Sequence, residues 1–292
     1  MPLRSMLFVP GDSERKLAKA PASGADALVL DLEDSVDASR LPLARGMVRE
    51  YLAARPAEGP ALWVRVNPLD SGLALEDLAA VVRARPDGIL LPKCEGRSDI
   101  VALDHYLRAM EARDGLPAGA IGIIPVATET PQAMFGLGGY GDCSARLRGL
   151  TWGAEDLAAA VGATSNRGED GEHDFSYQLA RSLCLLGANA AGVSPIDTIC
   201  PNFRDEAALR RDSARGRRMG FTGKIAIHPE QVAVINEAFT PDPADVARAR
   251  RIVEAFHRSP GVGTLQLDGE MLDRPHLKQA LRILAGAPDM RQ

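Results

Sequence analysis

The sequence of 292 residues is poor in the features that mark a disulfide-linked or zinc-binding protein. It has four cysteines, none of them in a C-x-x-C pair, and they show no zinc-ligand spacing with the five histidines. We therefore expect reduced and mostly buried thiols, as in cytosolic proteins.

Long apolar segments are missing as well. No run of about 18 apolar residues occurs, and the N-terminus lacks the charged and apolar regions of a secretory signal. A net charge of −5 argues against nucleic acid or an anionic membrane as the main partner, although a local basic patch for a phosphorylated ligand stays compatible with it. These absences predict a soluble cytoplasmic protein with neither a nucleic-acid nor a membrane partner.

The sequence does contain a regular alternation of short apolar runs and segments with helical period. A hydrophobic content of 46% supports a sizeable core. The runs are SMLFVP, DALVLDLE, ALWVRVN, DGILLPK, IGIIPVAT, LRGLTWG, AGVSPID and GKIAIHP. Continuous apolar strands are typical of parallel sheets that are buried on both faces. The pattern predicts a (β/α)₈ TIM barrel over residues 1–240, with a doubly wound open sheet as the alternative. No glycine-rich phosphate loop follows a strand, which weakens the nucleotide-binding alternative.

Residues 241–292 exceed what closing a barrel requires. Residues 241–261 predict one helix that is capped near Asp242, followed by a short strand or hairpin, a turn around residues 273–275 and a last helix. We expect this segment to form a C-terminal arm or lid that packs on a neighbouring subunit, and hence a homo-oligomer.

In a (β/α)₈ barrel the active site lies at the carboxyl ends of the strands. The polar residues expected there are Asp12, Asp31, Glu33, Asp34, Arg65, Asn67, Lys93, Glu129, Glu155, Asp156, Asp197 and His228. Glu129 ends an apolar run, and a buried carboxylate is costly unless it is paired or bound to a metal; it could instead begin a solvated loop. So many carboxylates on one rim repel each other, which predicts a hard divalent cation, Mg²⁺ or Mn²⁺, bound through oxygen ligands.

Several of these residues also have structural explanations. Asp12 and Asp156 could cap or begin the helices after strands one and six, and for Asp12 this explanation is favoured. Asp31 could accept hydrogen bonds from backbone amides, and His228 is favoured as a structural histidine over a base. Arg65 ends an apolar strand and needs an anionic partner, either a rim carboxylate or a substrate.

Seven segments, in order over residues 3–240, carry a family resemblance. They are RSMLFVPGDSERKLAKA, GADALVLDLEDSV, VRVN, LPK, TET, WGAEDLAAAVG and GKIAIHPEQV. Together they resemble the citrate lyase beta-subunit-like CoA-ester lyases of the HpcH/HpaI aldolase/citrate lyase family, which includes malyl-CoA and citramalyl-CoA lyases. Each motif is weak alone, but seven in register are a specific signal.

The resemblance implies a Mg²⁺-dependent barrel enzyme. The metal-binding glutamate and aspartate of the family match Glu129 and Asp156, and its substrate-binding arginine matches Arg65. The carboxylates of the LEDS segment match Glu33 and Asp34, which we place near the metal-bound waters rather than on the ion. The candidates for contacting CoA phosphates, with solvated helix charge as the alternative, are Arg15, Lys16 and Lys19.

The segment GEMLDRP resembles the G-x-M-I-D-x-P motif in the C-terminal arm of longer family members. In that motif the aspartate, which matches Asp273, reaches a neighbour's active site, and Leu272 stands where the family usually has isoleucine. A second departure flanks Glu129 and Thr130, because Thr128 stands where many members have an apolar residue and Pro131 stands where they have a small one. This change leaves the identity of the keto acid open.

These observations lead to a hypothesis of reversible carbon–carbon cleavage. A 3-hydroxyacyl-CoA, such as citramalyl-CoA or malyl-CoA, would give acetyl-CoA or another acyl-CoA and a 2-keto acid. Mg²⁺ on Glu129 and Asp156 would bind the keto acid, so that Glu129 and Arg65 serve substrate binding. Arg65 would also stabilise the thioester enolate, and Asp273 would exchange the proton at the acyl-CoA carbon.

Four alternatives remain. The same site could hydrolyse acyl-CoA thioesters, act as an aldolase on free keto acids, or belong to a citrate lyase beta subunit acting on acyl-carrier protein. A non-enzymatic barrel is the least favoured. We expect the homo-oligomer to be a trimer or a hexamer.

Overall fold

The computed structural model describes residues 3–287, which fold around an eight-stranded parallel barrel. The strands are β1 (Ser5–Pro10), β2 (Ala27–Asp31), β3 (Ala61–Arg65), β4 (Gly88–Leu91), β5 (Gly122–Pro125), β6 (Gly149–Leu150), β7 (Ser194–Asp197) and β8 (Gly223–Ala226). They pair in the order β5-β4-β3-β2-β1-β8-β7-β6. Parallel bridges from Ile123 to Leu147 and from Val126 to Thr151 join the two ends of this order and close the ring. The predicted (β/α)₈ barrel is confirmed, and the open-sheet alternative is wrong.

Helices connect the strands and cover the outside of the barrel. They are α1 (Glu14–Lys19), α2 (Leu41–Ala53), α3 (Ala74–Val81), α4 (Arg97–Asp114), α5 (Pro131–Gly136), α6 (Ala154–Ala160), α7 (Phe175–Ala190), α8 (Glu206–Met219) and α9 (Pro229–Phe239). In α2, for example, the buried positions Leu41, Ala44, Val48 and Leu52 recur at helical spacing and form one face towards the sheet. The strands are apolar throughout because the helices bury their outer face and the barrel interior buries the other.

Side chains fill the barrel interior. Trp63 on β3 lies among Val29, Leu90 and Ile124, and it is 4% exposed. A Cβ atom at Gly88 would lie 2.1 Å from the Trp63 ring, so the indole occupies space that β4 leaves free. The interior is therefore a packed core, and any site must lie at the strand ends.

The C-terminal segment forms two helices and a hairpin. They are α10 (Pro243–Arg258), β9 (Thr264–Leu267), β10 (Glu270–Asp273) and α11 (Arg274–Ala285). Asp242 caps α10 by accepting a hydrogen bond from the Ala244 N–H at 2.7 Å, as predicted. The predicted hairpin is confirmed, and its turn lies at Asp268 and Gly269, both with positive φ. The separate turn predicted at residues 273–275 is wrong, because β10 ends at Asp273 and α11 begins at the next residue.

This segment has an apolar cluster of its own, made by Ala249, Ile252, Phe256, Leu272 and Ala280. The division at residue 240 and the packing of the arm on a neighbouring subunit stay predictions.

Two predictions from composition can be compared with the structure. The four cysteines are free and buried. Within residues 3–287, every helix is too short or too polar to cross a bilayer.

Candidate active site

A cavity of about 690 Å³ opens at the carboxyl ends of the strands. It brings together ten of the residues predicted from the sequence, namely Arg15, Lys16, Lys19, Asp31, Asp34, Arg65, Glu129, Glu155, Asp156 and His228. Much of the remaining wall is apolar and includes Leu7, Phe8, Val126, Ile199, Ile225 and Ile227. The cavity thus combines a charged rim with a wall suited to an organic ligand.

Arg65 is held by the neighbouring strand. Parallel pairing sets it opposite Asp31, and its Nε and Nη2 atoms each donate to that carboxylate at 2.7 Å. The Phe8 ring lies 4.5 Å from the guanidinium carbon. Burial favours the neutral form of both groups, but the two hydrogen bonds and the attraction between the opposite charges outweigh it. The pKa of Asp31 therefore lies below its usual range and the pKa of Arg65 lies above its own. Arg65 is therefore a fixed cation whose anionic partner is a rim carboxylate.

Asp31 also shapes the loop that follows β2. Its carboxylate accepts hydrogen bonds from the backbone N–H groups of Glu33 at 3.0 Å and Ser35 at 3.2 Å. This turn directs Glu33 and Asp34 towards Arg65, whose Nη1 atom lies 2.8 Å and 3.4 Å from their carboxylates. Asp31 therefore accepts hydrogen bonds from backbone amides, as expected, and also pairs with Arg65.

Lys93 joins the two sides of the rim. Its backbone N–H donates to Glu129 Oε2 at 2.6 Å, and its ammonium lies 2.5 Å from Glu33 Oε1 and 3.4 Å from Asp156 Oδ1. The sequence predicts Lys93 at the rim but indicates no role for it. The LPK motif at the end of β4 was the available signal.

Among the buried rim carboxylates, Glu129 has the fewest compensating contacts. It is 4% exposed, and the hydrogen bond that reaches it within residues 3–287 comes from the Lys93 backbone. Burial, with repulsion from Asp156 and Glu33, raises its pKa to about 8. Burial likewise raises the pKa of Glu33 to about 7, although Arg65 and Lys93 oppose the shift. A buried carboxylate with this environment is typical of a functional site.

Gly153 leaves room for Glu129. A Cβ atom at position 153 would lie 2.8 Å from Glu129 Cγ and 3.1 Å from Oε1. Gly153 also donates its N–H to Thr128 Oγ1 at 3.1 Å. Only a residue without a side chain can approach the carboxylate this closely.

The crowding of carboxylates predicted from the sequence is largely compensated by protein cations. Asp12 does not cap a helix as the favoured explanation held, but accepts a hydrogen bond from Arg40 at 2.6 Å. Asp197 is fully buried beside Arg181 at 2.5 Å, and it accepts a hydrogen bond from Trp152 Nε1 at 2.8 Å. A divalent ion is therefore indicated by the pair Glu129 and Asp156 rather than by the number of carboxylates on the rim.

Glu129 and Asp156 fit a hard cation. Asp156 lies in the first turn of α6 and lines the cavity, as does Glu129. Residues 3–287 contain no group of three or more His, Cys, Asp or Glu side chains arranged as a metal site. Mg²⁺ typically uses one or two carboxylates and completes its shell with water and substrate oxygens, so the pair has the chemistry that this ion requires.

The two threonines beside Glu129 have positioning roles. Thr128 is buried, and its hydroxyl bonds both the N–H and the carbonyl of Gly153. Thr130 caps α5 by accepting a hydrogen bond from the Ala133 N–H at 3.2 Å. Neither threonine lines the cavity, so their side chains hold the backbone on either side of Glu129.

His228 has the structural role that the sequence favoured. It caps α9 by accepting a hydrogen bond from the Glu230 N–H, and its ring stacks on Phe203 with centroids 4.4 Å apart. Sequence reasoning missed Asp77, which is buried and accepts hydrogen bonds from Asn67 at 2.8 Å and Arg45 at 2.7 Å. Asn67 also donates to the Leu32 carbonyl. These contacts fix the loops that carry Arg65 and Glu33, and separation in sequence concealed them.

Asp273 does not lie at the cavity of its own chain, as far as residues 3–287 describe it. It caps α11, its side chain is 38% exposed, and its Oδ1 lies 2.5 Å from His276 Nδ1. Its predicted role in a neighbour's site stays a prediction.

The candidates for CoA phosphates are better placed, because Arg15, Lys16 and Lys19 are exposed on α1 and line the cavity.

Comparison with known proteins agrees with this geometry. The sequence model of the HpcH/HpaI aldolase/citrate lyase family matches residues 4–229, and that of a C-C bond lyase of the TIM-barrel fold matches residues 185–288. Rat mitochondrial citramalyl-CoA lyase is 35% identical over the whole chain and 88% of its own length. The citrate lyase beta subunit of Haemophilus influenzae is 34% identical, covering 97% of the chain and 96% of the relative. The (3S)-malyl-CoA thioesterase of Cereibacter sphaeroides is also 34% identical, covering 98% and 95%.

Solved structures show the same fold. The CitE protein of Mycobacterium tuberculosis, in complex with magnesium, acetoacetate and coenzyme A, aligns with a TM-score of 0.77 and 28% identity over 97% of both chains. That protein therefore binds a divalent ion, a keto acid and a CoA molecule on a barrel of this shape.

Proposed function

Because the chain belongs to the HpcH/HpaI aldolase/citrate lyase family, we propose that it is a Mg²⁺-dependent lyase acting on a 3-hydroxyacyl-CoA. Members of this family are carbon–carbon lyases. The enzyme would cleave citramalyl-CoA or malyl-CoA into a 2-keto acid and acetyl-CoA or another acyl-CoA. In the reverse direction it would form the 3-hydroxyacyl-CoA from these two compounds. The observation that carries the proposal is one cavity with a basic segment, a fixed arginine and an oxygen-donor pair on its wall.

Glu129 and Asp156 would hold the ion. When bound, Mg²⁺ supplies Lewis-acid polarisation and orientation of the keto acid oxygens. Arg65 presents a guanidinium that Asp31 keeps in one orientation, and it lines the cavity. A cation fixed in this way stabilises negative charge on the thioester oxygen without reorganising.

Arg15, Lys16 and Lys19 would bind the phosphates of CoA. The three cations lie on one short helix at the cavity, where the acyl-CoA would enter. Their exposure suits a long ligand that remains partly in solvent.

Asp273 would exchange the proton at the acyl-CoA carbon in the cavity of a neighbouring subunit. A homo-oligomer, a trimer or a hexamer, is part of this proposal, as is a cytoplasmic location. Complementation tests it: mixed oligomers of Asp273→Asn and Glu129→Gln subunits should regain activity that neither variant has alone, since some cavities then combine two intact residues. The mixed oligomers should regain no activity if Asp273 acts in the cavity of its own chain or in no cavity.

Thioester hydrolysis in the same cavity is the second candidate, because a thioesterase and a lyase are about equally similar to this chain. The main experiment is a panel of hydroxyacyl-CoA thioesters assayed with Mg²⁺ or with a chelator, following keto acid, acyl-CoA and free CoA separately. We expect keto acid and acyl-CoA in equal amounts, and only with Mg²⁺. Free CoA without acyl-CoA would favour hydrolysis, turnover of free keto acids without CoA would favour an aldolase, and a preference for acyl-carrier protein thioesters would favour a citrate lyase subunit. A folded protein inactive on all of them would refute the lyase proposal.

A further inference from the structure

Lys93 adopts a backbone conformation that a residue with a side chain rarely takes. Its φ of +50° lies in the left-handed region, which costs roughly 1 kcal/mol for such a residue. Strain of this kind persists where the surrounding structure uses it. The conformation lets one residue act in two directions, because the N–H donates to Glu129 Oε2 while the side chain extends to the opposite carboxylates.

The ammonium of Lys93 serves three carboxylates. It lies 2.5 Å from Glu33 Oε1, 3.4 Å from Asp156 Oδ1 and 3.9 Å from Asp34 Oδ1. Glu33 is almost fully buried, whereas the side chains of Lys93 and Asp156 are each 33% exposed. Lys93 is thus firmly bound to Glu33 and more loosely to Asp156.

The same Asp156 is a proposed metal ligand. An ammonium and a divalent ion repel each other strongly at distances of a few ångströms, so they cannot share one carboxylate without a cost. The hydrogen bond from the Lys93 backbone N–H to Glu129 does not involve the ammonium. It can therefore persist whether Asp156 contacts the ammonium or a divalent ion.

We infer that Lys93 is the internal counter-ion of the metal site, an inference that rests on the proposed function. Its ammonium holds Asp156 in place when no divalent ion is bound and competes with the ion for that carboxylate. Its N–H keeps Glu129 oriented in both situations. Lys93 is therefore a positioning residue that weakens the affinity for Mg²⁺ and stabilises the rim without it.

Substitution of Lys93 should separate these effects. Lys93→Met should bind Mg²⁺ roughly tenfold more tightly, since a competing charge is lost from a partly exposed site. Its melting temperature in chelator should fall, because Glu33 keeps a buried oxygen without its partner. Lys93→Arg should retain an affinity within about threefold of the unchanged protein, because the charge remains.

Arg85 offers a matched control. It also has a left-handed φ, +59°, it is exposed, and it precedes β4 where Lys93 follows it. Arg85→Met removes one positive charge from the opposite end of the same strand, so it should leave the Mg²⁺ affinity unchanged. Lys93→Gly is a second test variant, since it removes the ammonium, keeps the N–H and suits the left-handed backbone.

The measurement is calorimetric titration of MgCl₂ into the chelator-treated full chain, with thermal melts in parallel and no substrate present. Tighter binding by Lys93→Met and Lys93→Gly, but not by Arg85→Met, supports the inference. Equal or weaker binding by both Lys93 variants, with binding by the unchanged chain intact, overturns the counter-ion role and leaves the proposed function standing. No Mg²⁺ binding by the unchanged chain overturns both.

Discussion

Gly153→Ala isolates the geometry of Glu129 from every other property of the site. The backbone angles at position 153, φ −122° and ψ 123°, are open to alanine, so the substitution adds a methyl group without backbone strain. That methyl carbon would lie 2.8 Å from Glu129 Cγ, about 0.6 Å short of the 3.4 Å at which ordinary van der Waals contact begins. Glu129 has little space to retreat, because it is 4% exposed and accepts the Lys93 N–H at 2.6 Å.

The expected loss follows from these distances. Overpacking of this size costs about 1–3 kcal/mol of stability, which lowers the melting temperature by roughly 2–4 °C per kcal/mol in a chain of this size. Catalytic groups tolerate displacements of about 0.5 Å, and a displacement of about 1 Å costs about 10²-fold. Gly153→Ala should therefore lose about 10- to 100-fold in kcat/KM and bind Mg²⁺ more weakly.

Steady-state lyase rates, Mg²⁺ titration and a thermal melt check this together. Gly46→Ala is the matched control: Gly46 lies within α2, and a Cβ atom there would meet nothing within 4 Å, so alanine should stabilise the chain by about 0.5–1 kcal/mol and leave activity unchanged. If Gly153→Ala kept kcat/KM within about twofold and an unchanged Mg²⁺ affinity, Glu129 would not be the ligand that the close contact implies.

Three further predictions concern charge. Arg65→Lys should lose at least about 10²-fold in kcat/KM, because lysine cannot make the two parallel hydrogen bonds to Asp31. Circular dichroism should show an intact fold, and near-normal rates would contradict the role of Arg65. Without Mg²⁺, the free energy of unfolding should fall as pH rises from about 5 to 8. The pKa of Glu129 is raised to about 8 in the folded chain, so over this range the folded chain keeps a proton that the unfolded chain has released. Melts in chelator should show a shallower fall for Glu129→Gln, and equal slopes would refute this origin. Lys16→Ala and Arg15→Ala should raise KM for the CoA ester with little change in kcat, and the increase should shrink at high salt if these cations bind phosphate.

The barrel and the membership of the site were predictable because both follow from local patterns. Continuous apolar runs mark strands buried on two faces, and parallel strands bring their carboxyl ends to one rim, so Arg65, Glu129 and Asp156 meet. The pairing of the charges was not predictable. Asp12 with Arg40 and Asp197 with Arg181 join residues from different elements, and packing alone decides which cation reaches which carboxylate.

In the arm, the two helices and the hairpin were predictable, and the entry into the last helix was not. The sequence LQLDGEML contains Asp-Gly between two short alternating segments, which is a strong hairpin signal, and the turn occurs there at Asp268 and Gly269. The turn predicted at residues 273–275 is wrong, because Pro275 lies in the first turn of α11, where proline is also common.

The two tryptophans of the chain give the protein a built-in optical probe. Trp63 is sealed in the barrel interior, away from the cavity, whereas Trp152 lines the cavity and donates to Asp197. Ligand binding should therefore change the emission of Trp152, while loss of the fold should change both. A Trp63→Phe chain would report occupancy of the cavity from a single indole, with no label and no coupled enzyme, for any thioester whether or not it is turned over.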